Sequence, residues 1–256
     1  MIFDTHTHYY DEAFDADREE LLSGFAASGN YKFVNIGASM EGSRASIALS
    51  KQHDFIYASV GLHPDYAADL TEENTEELIR LSKEEKCVAI GEIGLDYYYE
   101  EPGREIQQKA FAAQLDLACK LQMPVVIHSR DAAKDTYDLM KASGIERYGG
   151  IMHCFSYPPE VAKQFLDLGF YIGIGGAVTF KNARKLPDVV AMCPMDCIVI
   201  ETDCPYMAPV PFRGKRNDSS YLTYVCSRIA EIKNLSAAEV ERITEANARA
   251  VYGISK

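Results

Sequence analysis

The chain of 256 residues has no tryptophan, no cysteine pair of the CxxC type and no long apolar run. Its seven cysteines are scattered and odd in number, which argues against a disulfide framework and a structural zinc site. No apolar stretch approaches the ~20 residues that a membrane-spanning helix needs. The first residues, Met1 to Asp4, lack the basic and apolar segments of a signal peptide. We therefore expect a cytoplasmic protein with reduced thiols and no membrane contact.

Positive charge is also scarce. There are 26 Lys and Arg residues against 38 Asp and Glu, a formal charge of −12. Proteins that bind nucleic acid along its backbone are usually basic, at least locally. A chain this acidic that acts on phosphates needs bound cations and a local basic patch. The densest candidate patch comprises Arg213, Lys215 and Arg216.

Eight short apolar or β-branched runs alternate with amphipathic segments, which predicts strands alternating with helices. The predicted strands are Ile2–Asp4, Phe33–Ile36, Ile56–Val60, Val88–Gly91, Val125–Ile127, Gly150–Met152, Tyr171–Ile174 and Ile198–Ile200. The predicted helices lie near residues 15–28, 41–52, 73–85, 105–121, 132–143, 158–168, 182–192, 219–232 and 237–251. Ser236 and Glu239 have the spacing of a capping box at the start of the ninth helix.

Strands that alternate with helices pair in parallel through right-handed crossovers. Eight such units in a chain of this length favour a closed (β/α)8 barrel of the TIM type over an open doubly wound sheet. The ninth helix is then an addition at the C-terminus. No linker-like stretch divides the chain, so we predict one domain over residues 1–256.

Residue types that bind metals fall at the ends of five predicted strands. In a (β/α)8 barrel these ends meet at one face, where active sites lie. Imidazoles and carboxylates clustered at such a mouth are costly to bury without cations. The sequence therefore predicts a metal centre formed by His6 and His8 after the first strand, Glu92 after the fourth, His128 after the fifth, His153 after the sixth and Asp203 after the eighth.

Six donors are too many for one catalytic ion that keeps an open position, so we predict two divalent ions. Closure of the barrel brings Asp203 to His6 and His8, and Glu92 is the expected bridge to the second ion. Two ions ~3.5–4 Å apart can activate water and polarise the substrate. A set rich in imidazole favours Zn²⁺ or Mn²⁺ over Mg²⁺, although such sites often accept several ions.

Other residues at the same mouth have two interpretations each. Asp203 is either the proton acceptor for the attacking water or a ligand alone. Asp4 and Glu201, each two residues before a donor, are expected to fix an imidazole tautomer. His63 either contacts a phosphate or is structural, and Arg130 either holds a phosphate or pairs with an acidic loop residue.

The residues of the aromatic and basic loops also have two interpretations each. One tyrosine of the run 97–99, taken as Tyr97, is expected to stack on a base, whereas packing over the rim is the other interpretation. For Arg213, Lys215 and Arg216, on the loop after the eighth strand, phosphate contact is favoured over a solvated charge run, because this fold often binds phosphate there.

The same residues lie in motifs that resemble those of the TatD-type deoxyribonucleases. The motifs follow in order over residues 2 to about 253: FDTHTH (3–8), GLHP (61–64), GEIGLDYY (91–98), PVVIHSR (124–130), HCFS (153–156), ETDCPY (201–206) and RGKRN (213–217). The resemblance implies an amidohydrolase-like barrel that cleaves DNA phosphodiester bonds, commonly as a 3′→5′ exonuclease. It also implies one metal on His6, His8, Glu92 and Asp203, and a second on Glu92, His128 and His153. The family usually has Glu-Pro where this chain has Asp218 and Ser219, a departure that bears on the loop geometry.

We therefore predict a two-metal hydrolase with Glu92 and Asp203 at the centre of catalysis. Its expected substrate is DNA, as short or single-stranded ends, and no obligate protein partner is expected. The alternative is a barrel hydrolase of the same group acting on an amide, a lactone or an aminoacyl ester, including an aminoacyl-tRNA. The basic segment at 213–216 argues for a substrate that carries phosphate. A binding protein without catalysis is disfavoured by the complete donor set.

Overall fold

The computed structural model describes residues 1–255, so Lys256, the last residue of the predicted domain, lies outside the described residues. Eight parallel strands follow one another around a single sheet in chain order. Helices connect them, and the arrangement is the predicted (β/α)8 barrel. The strands are β1 (Ile2–Thr7), β2 (Tyr31–Ile36), β3 (Ile56–Val60), β4 (Cys87–Asp96), β5 (Val125–Arg130), β6 (Gly150–Met152), β7 (Tyr171–Ile174) and β8 (Ile198–Ile200).

The helices cover the outside of the barrel, and the strands are therefore buried on both faces, as is usual for parallel sheets. Within residues 1–255, none of the helices combines the length and the apolar character that crossing a bilayer requires. The helices are α1 (Arg18–Ser28), α2 (Met40–Gln52), α3 (Glu72–Leu81), α4 (Arg104–Leu121), α5 (Ala133–Ser143), α6 (Pro159–Asp167), α7 (Lys185–Met192), α8 (Leu222–Lys233) and α9 (Ala237–Val251).

The C-terminal helix α9 packs against β1 and β8. Its start is the predicted capping box: the Ser236 side chain accepts the Glu239 N–H, and the Glu239 carboxylate accepts the Ser236 N–H. Just beyond its end, the buried Tyr252 donates its hydroxyl to the carbonyl of Thr5 at 2.8 Å. The extra helix therefore supports the place where the first and last strands meet.

The seam between β1 and β8 is held by few main-chain contacts. One parallel bridge pairs Thr7 with Cys204. The N–H of Asp203 donates to the carbonyl of His6 at 3.0 Å, and the N–H of His8 donates to the carbonyl of Cys204 at 2.9 Å. The seam thus joins three of the predicted metal donors through the backbone.

Some predicted boundaries were wrong. β1 ends at Thr7, β4 at Asp96 and β5 at Arg130, three to five residues later than predicted. Polar side chains interrupt the apolar pattern at these strand ends while the backbone continues to pair with its neighbours. His6, Glu92 and His128 consequently lie inside strands, where pairing on both sides fixes their direction. Among the helices, α1 and α8 begin three residues later than predicted, each preceded by a short 3-10 turn, and α3 ends four residues earlier.

Candidate metal centre

A cavity of about 620 Å³ opens at the carboxyl ends of the strands. Five of the six predicted donors line its wall, namely His8, Glu92, His128, His153 and Asp203. The sixth, His6, is fully buried and lies next to His8, Glu92, His153 and Asp203. The structure thus brings all six predicted donors together in one place.

One group of donors joins β1 to the residues that follow β8. The Nε2 atoms of His6 and His8 are 3.0 Å apart. Oδ1 of Asp203 lies 3.4 Å from Nε2 of His8 and 3.7 Å from Nε2 of His6. The Nδ1 atom of His8 faces the carbonyl of Ile36 at 3.1 Å, which leaves Nε2 directed at the other donors.

The second group surrounds Glu92. Its Oε2 lies 3.4 Å from Nε2 of His6, in the first group. Its Oε1 lies 3.0 Å from Nδ1 of His128 and 3.8 Å from the Nε2 atoms of His63 and His153. The two oxygens of Glu92 therefore face the two groups of donors, as expected of a bridging carboxylate.

These atoms fit divalent cations. His6, His8 and Asp203 form one set whose ligand atoms lie within 4.8 Å of one another, and His63, Glu92 and His128 form another. Nδ1 of His6, Nδ1 of His153 and Oε2 of Glu201 are among the described side-chain atoms that are buried without a hydrogen-bond partner, a costly arrangement in a protein interior. Nitrogen and carboxylate oxygen are the donors that Zn²⁺ and Mn²⁺ accept.

Burial and the nearby carboxylates act in opposite directions on the imidazoles. Burial lowers the pKa of His6 to about 4, and the neighbouring His153 adds to the effect. Burial also disfavours charged His153, but the carboxylates of Glu201, Glu92 and Asp203 together outweigh it and raise the pKa to about 10. For His128, the carboxylates of Asp96 and Glu92 together overcome burial, and the pKa rises to about 9. The negative charge that retains these protons is the charge that a divalent cation would neutralise.

The two central carboxylates are held in their ionised form. Burial alone would raise the pKa of Glu92, but His153 and His6 outweigh it and hold the pKa well below its usual range. For Asp203, burial is likewise outweighed by His153 and His8, and the pKa is lowered. Both carboxylates are therefore charged at neutral pH and available as ligands.

Glu201 supports His153 from below. Its Oε1 lies 3.1 Å from Nδ1 of His153 and accepts the N–H of Cys154. A glycine on the neighbouring strand provides the space: a Cβ at Gly173 would lie 2.6 Å from Oε2 of Glu201. Nε2 of His153 is thereby directed towards Glu92 and Asp203, 3.8 and 3.7 Å away.

Asp4 has a different set of partners from the expected imidazole. Its buried carboxylate accepts the N–H and the hydroxyl of Thr202 at 2.9 and 2.7 Å and the hydroxyl of Ser219 at 2.7 Å. Burial raises the pKa of Asp4 from its ordinary value of 3.8 to about 7. Asp4 therefore fixes the segment next to Asp203 rather than a ring.

The departure at Asp218 and Ser219 has a local role. Besides donating to Asp4, Ser219 donates its N–H to the hydroxyl of the buried Tyr9 at 3.0 Å. A proline at this position would lack both the hydroxyl and the N–H. The neighbouring Asn217 donates to the carbonyls of Thr202 and Tyr206 at 2.9 and 2.8 Å. The loop is thus tied to the seam by side-chain hydrogen bonds.

Some of the predicted substrate-binding residues line the cavity, and others do not. His63 and Arg130 line the cavity, and the Arg130 guanidinium stacks on the Tyr98 ring at 3.7 Å rather than pairing with a carboxylate. The hydroxyl of Tyr97 donates to Asp135 at 2.8 Å, and Tyr97 is not among the residues described in the cavity wall.

The basic loop lies outside the cavity wall. Arg216 forms two 2.6 Å contacts with the carboxylate of Asp17, and Arg213 stacks on the ring of Phe180 at 4.4 Å. Lys215 and Arg216 line a shallow neighbouring hollow, which shares Tyr206 with the cavity. Tyr206 therefore lies between the mouth of the cavity and the hollow that Lys215 and Arg216 line.

Sequence reasoning missed three residues of this region. Asp96 is buried with Oδ2 3.0 Å from Nε2 of His128. Tyr66 and Tyr206 line the mouth and are largely exposed. Asp96 had a signal in the sequence, because it stands four residues after Glu92 and so shares its face of a strand. That signal is usable only once β4 is known to continue to residue 96.

Comparisons with known proteins agree with this geometry. Residues 3–253 match the family described as TatD related DNase. A Bacillus subtilis protein, YabD, described only as a metal-dependent hydrolase, is 43% identical over 255 residues, covering 100% of both chains. The Mycobacterium tuberculosis protein TatD, with the same description, is 36% identical over 98% of this chain and 97% of its own.

Solved structures show the same likeness. The Escherichia coli TatD homologue YjjV superposes with a TM-score of 0.92 at 30% identity, over 99% of this chain and 98% of that one. A lactonase from Deinococcus radiodurans shares the fold alone, with a TM-score of 0.64 at 13% identity over 98% of this chain and 95% of its own. With its family motifs, its barrel and its clustered donors, the chain belongs to the TatD family of metal-dependent hydrolases.

Proposed function

We propose that this hydrolase cleaves DNA phosphodiester bonds with two divalent cations, acting on single-stranded or short ends as a 3′→5′ exonuclease. The observation that carries the proposal is the cavity wall, in which clustered histidines and carboxylates lie beside a guanidinium and exposed tyrosines. The family description as a DNase supports the same substrate. Seven free cysteines agree with the proposed cytoplasmic setting.

The proposed ligands follow the two groups of donors. His6, His8 and Asp203 would hold one ion, His128 and His153 the other, with Glu92 between them. When bound, such a pair activates water and neutralises charge on the phosphate. Because the donors include four imidazoles, we propose Zn²⁺ or Mn²⁺ ahead of Mg²⁺.

The chain's own residues then act on the substrate. Asp203, ionised and directed into the cavity, orients the attacking water and accepts its proton. His63 accepts the N–H of Asp65 on Nδ1 at 3.2 Å, so Nε2 carries the proton of the neutral ring and donates to a phosphate oxygen. Arg130 holds a second phosphate oxygen through its guanidinium.

The surroundings of the cavity favour single strands. Tyr66 and Tyr206 are 44% and 56% exposed at the mouth, which leaves their faces free for stacking on unpaired bases. Arg130 is the only lysine or arginine among the described residues of the cavity wall. With few phosphate contacts and a charge of −12, we do not expect the protein to bind a long stretch of nucleic-acid backbone. We include Lys215, beyond Tyr206, as a contact for the next phosphate.

The decisive experiment incubates the protein, reconstituted with Zn²⁺, Mn²⁺ or Mg²⁺, with 5′-labelled and 3′-labelled single-stranded DNA. We expect a ladder of shortened 5′-labelled products, release of labelled mononucleotide from the 3′ label, and no reaction with chelator. Glu92→Ala should abolish cleavage and lower the metal content, whereas Glu73→Ala, at an exposed site on α3, should change neither. Intact DNA with every metal, alongside turnover of an ester or amide, would instead support the alternative hydrolase.

The role of Arg130 has its own measurement. Arg130→Ala should raise KM for single-stranded DNA about tenfold while changing kcat less, because a contact made in both ground and transition state affects binding alone. Arg184→Ala, at a surface position outside the cavity wall, is the matched control. An unchanged KM in Arg130→Ala would remove Arg130 from the substrate site.

A further inference from the structure

Asp96 occupies a fixed position at the end of β4. Its Oδ1 accepts the N–H of Tyr98 at 2.9 Å. The side chain of Gln107, from α4, accepts the N–H of Asp96 and donates to its carbonyl, both at 2.8 Å. The remaining oxygen, Oδ2, lies 3.0 Å from Nε2 of His128. The carboxylate is therefore oriented by the protein itself, with one oxygen directed at the ring.

His128 lies between two carboxylates. Its Nδ1 faces Oε1 of Glu92 at 3.0 Å, and its Nε2 faces Asp96. Nε2 of His153 also lies 3.8 Å from Oε1 of Glu92. On the Nε2 side, the described contact is the carboxylate of Asp96. The Nδ1 side is therefore where a cation would find several donors.

We propose that Asp96 is a positioning residue: it accepts the Nε2–H of His128 and so fixes the tautomer whose Nδ1 lone pair is offered to a cation beside Glu92. This inference rests on the metal centre of the proposed function and assigns the carboxylate that orients one of its ligands. Partners of this kind hold the ring and increase its basicity as a ligand.

The strands are built to permit the contact. Gly94 of β4 pairs with His128 of β5, and Asp96 pairs with Arg130. A Cβ at Gly94, where φ is +148°, would overlap the carbonyl of His128. The glycine therefore allows the two strands to approach closely enough for the Asp96 carboxylate to reach the ring edge.

Asp96→Asn tests the hydrogen-bond direction with little change in volume. If the amide oxygen keeps the bond to the Tyr98 N–H, the NH₂ group faces Nε2 of His128 and the ring proton is driven to Nδ1, on the cation side. If the amide turns over, two donors meet at Tyr98. The first arrangement opposes the tautomer that binds metal, and the second keeps that tautomer only by leaving the Tyr98 N–H without its acceptor.

The experiment titrates metal-free wild type, Asp96→Asn and Asp135→Asn with Zn²⁺ against a chromophoric chelator. We expect one of the two sites of Asp96→Asn to weaken by about 10- to 100-fold and the other to change by less than about threefold. Asp135→Asn, a part-buried neighbour whose partners are Tyr97 and Gln108, should match wild type. Two sites of wild-type affinity in Asp96→Asn would overturn the proposal.

A second measurement uses the wild-type protein and does not depend on the folding of Asp96→Asn. Ring ¹⁵N spectra of the zinc-loaded wild type, with His128 assigned by its loss in His128→Asn, should show a protonated Nε2 and a metal-bound Nδ1. A metal-bound Nε2 would overturn the proposal. If the protein binds two ions but leaves DNA intact, the nuclease function fails while the role of Asp96 stands. If Asp96→Asn binds as wild type while DNA is cleaved, the opposite holds.

Discussion

Replacing Asp4 by asparagine should stabilise the metal-free protein at alkaline pH, although Asp4 lies beside the candidate metal centre. Its fully buried carboxylate has a pKa raised by burial from 3.8 to about 7. A folded-state pKa above the unfolded value contributes stability that is present below pH 3.8 and lost as the pH rises through about 7. The full loss is about 4 kcal/mol, at 1.36 kcal/mol per pKa unit.

Asparagine can replace the acid with little rearrangement. Its oxygen can accept the N–H groups of His6 and Thr202, which now share Oδ1 of Asp4. Its NH₂ group can donate to the hydroxyls of Thr202 and Ser219, which can rotate to accept. The variant therefore keeps the four contacts and does not bury a charge.

The assay is urea unfolding of chelator-treated wild type and Asp4→Asn from pH 5 to pH 8. The difference in unfolding free energy should move in favour of Asp4→Asn by about 3 kcal/mol over this range, because about two of the three pKa units are crossed. Asp116→Asn, at an exposed position on α4, should show no such trend. If the difference in unfolding free energy stays constant to within about 1 kcal/mol over this range, the inference that burial raises the pKa of Asp4 is refuted.

Further predictions concern packing and metal binding. Gly173→Ala should lose about 1–3 kcal/mol of unfolding free energy because the added Cβ meets the Glu201 carboxylate, whereas Gly24→Ala, with open space inside α1, should gain about 0.5–1 kcal/mol. Equal changes in the unfolding free energy of Gly173→Ala and Gly24→Ala, measured by urea unfolding, would contradict the predicted clash with Glu201. With a pKa of about 9 for His128 and about 10 for His153, both rings must lose a proton to bind metal. Zn²⁺ affinity should then rise between pH 6 and pH 8, by up to about tenfold per unit for each ring; chelator competition that shows a flat profile would contradict this.

The barrel and the convergence of the six candidate donors could be predicted because their signals are local. Alternating apolar runs mark β and α segments, and metal-binding residue types at successive strand ends mark one face of a barrel. The positions of Glu92 and His128 inside strands were not predictable from apolar periodicity, since polar residues end that pattern while the backbone still pairs.

The partners of individual side chains lay beyond the sequence. Arg216 and Tyr97 have the residue types of substrate contacts, yet their nearest carboxylates, Asp17 and Asp135, are distant in sequence and meet them only in the folded chain. The contact of Asp96 with His128 likewise depends on the pairing of β4 with β5, which Gly94 permits. Composition indicates which residues can act, and tertiary contacts decide which ones do.

The candidate metal donors also lie on both sides of the β1–β8 seam, which few described main-chain contacts hold together. His6 lies on β1, His8 follows it and Asp203 follows β8, and the described main-chain contacts of this seam are one bridge and two hydrogen bonds. A cation bound by all three residues would add a connection across the seam between β1 and β8. At about 100 times its Kd it would stabilise the closed seam by about 2.7 kcal/mol.

Chelation should therefore accelerate hydrogen exchange unevenly. The amides of His8 and Asp203, which form the seam bonds, should exchange about 100-fold faster without metal. The amide of Phe33 on β2, which donates to the carbonyl of Phe55 on the β3 side at 3.0 Å, should change far less, because neither β2 nor β3 carries a proposed ligand. Equal acceleration at all three amides would mean that the metal stabilises the whole fold against global unfolding, and the seam would have no separate role. Uneven acceleration would make the metal a closing element of the barrel as well as its chemical centre.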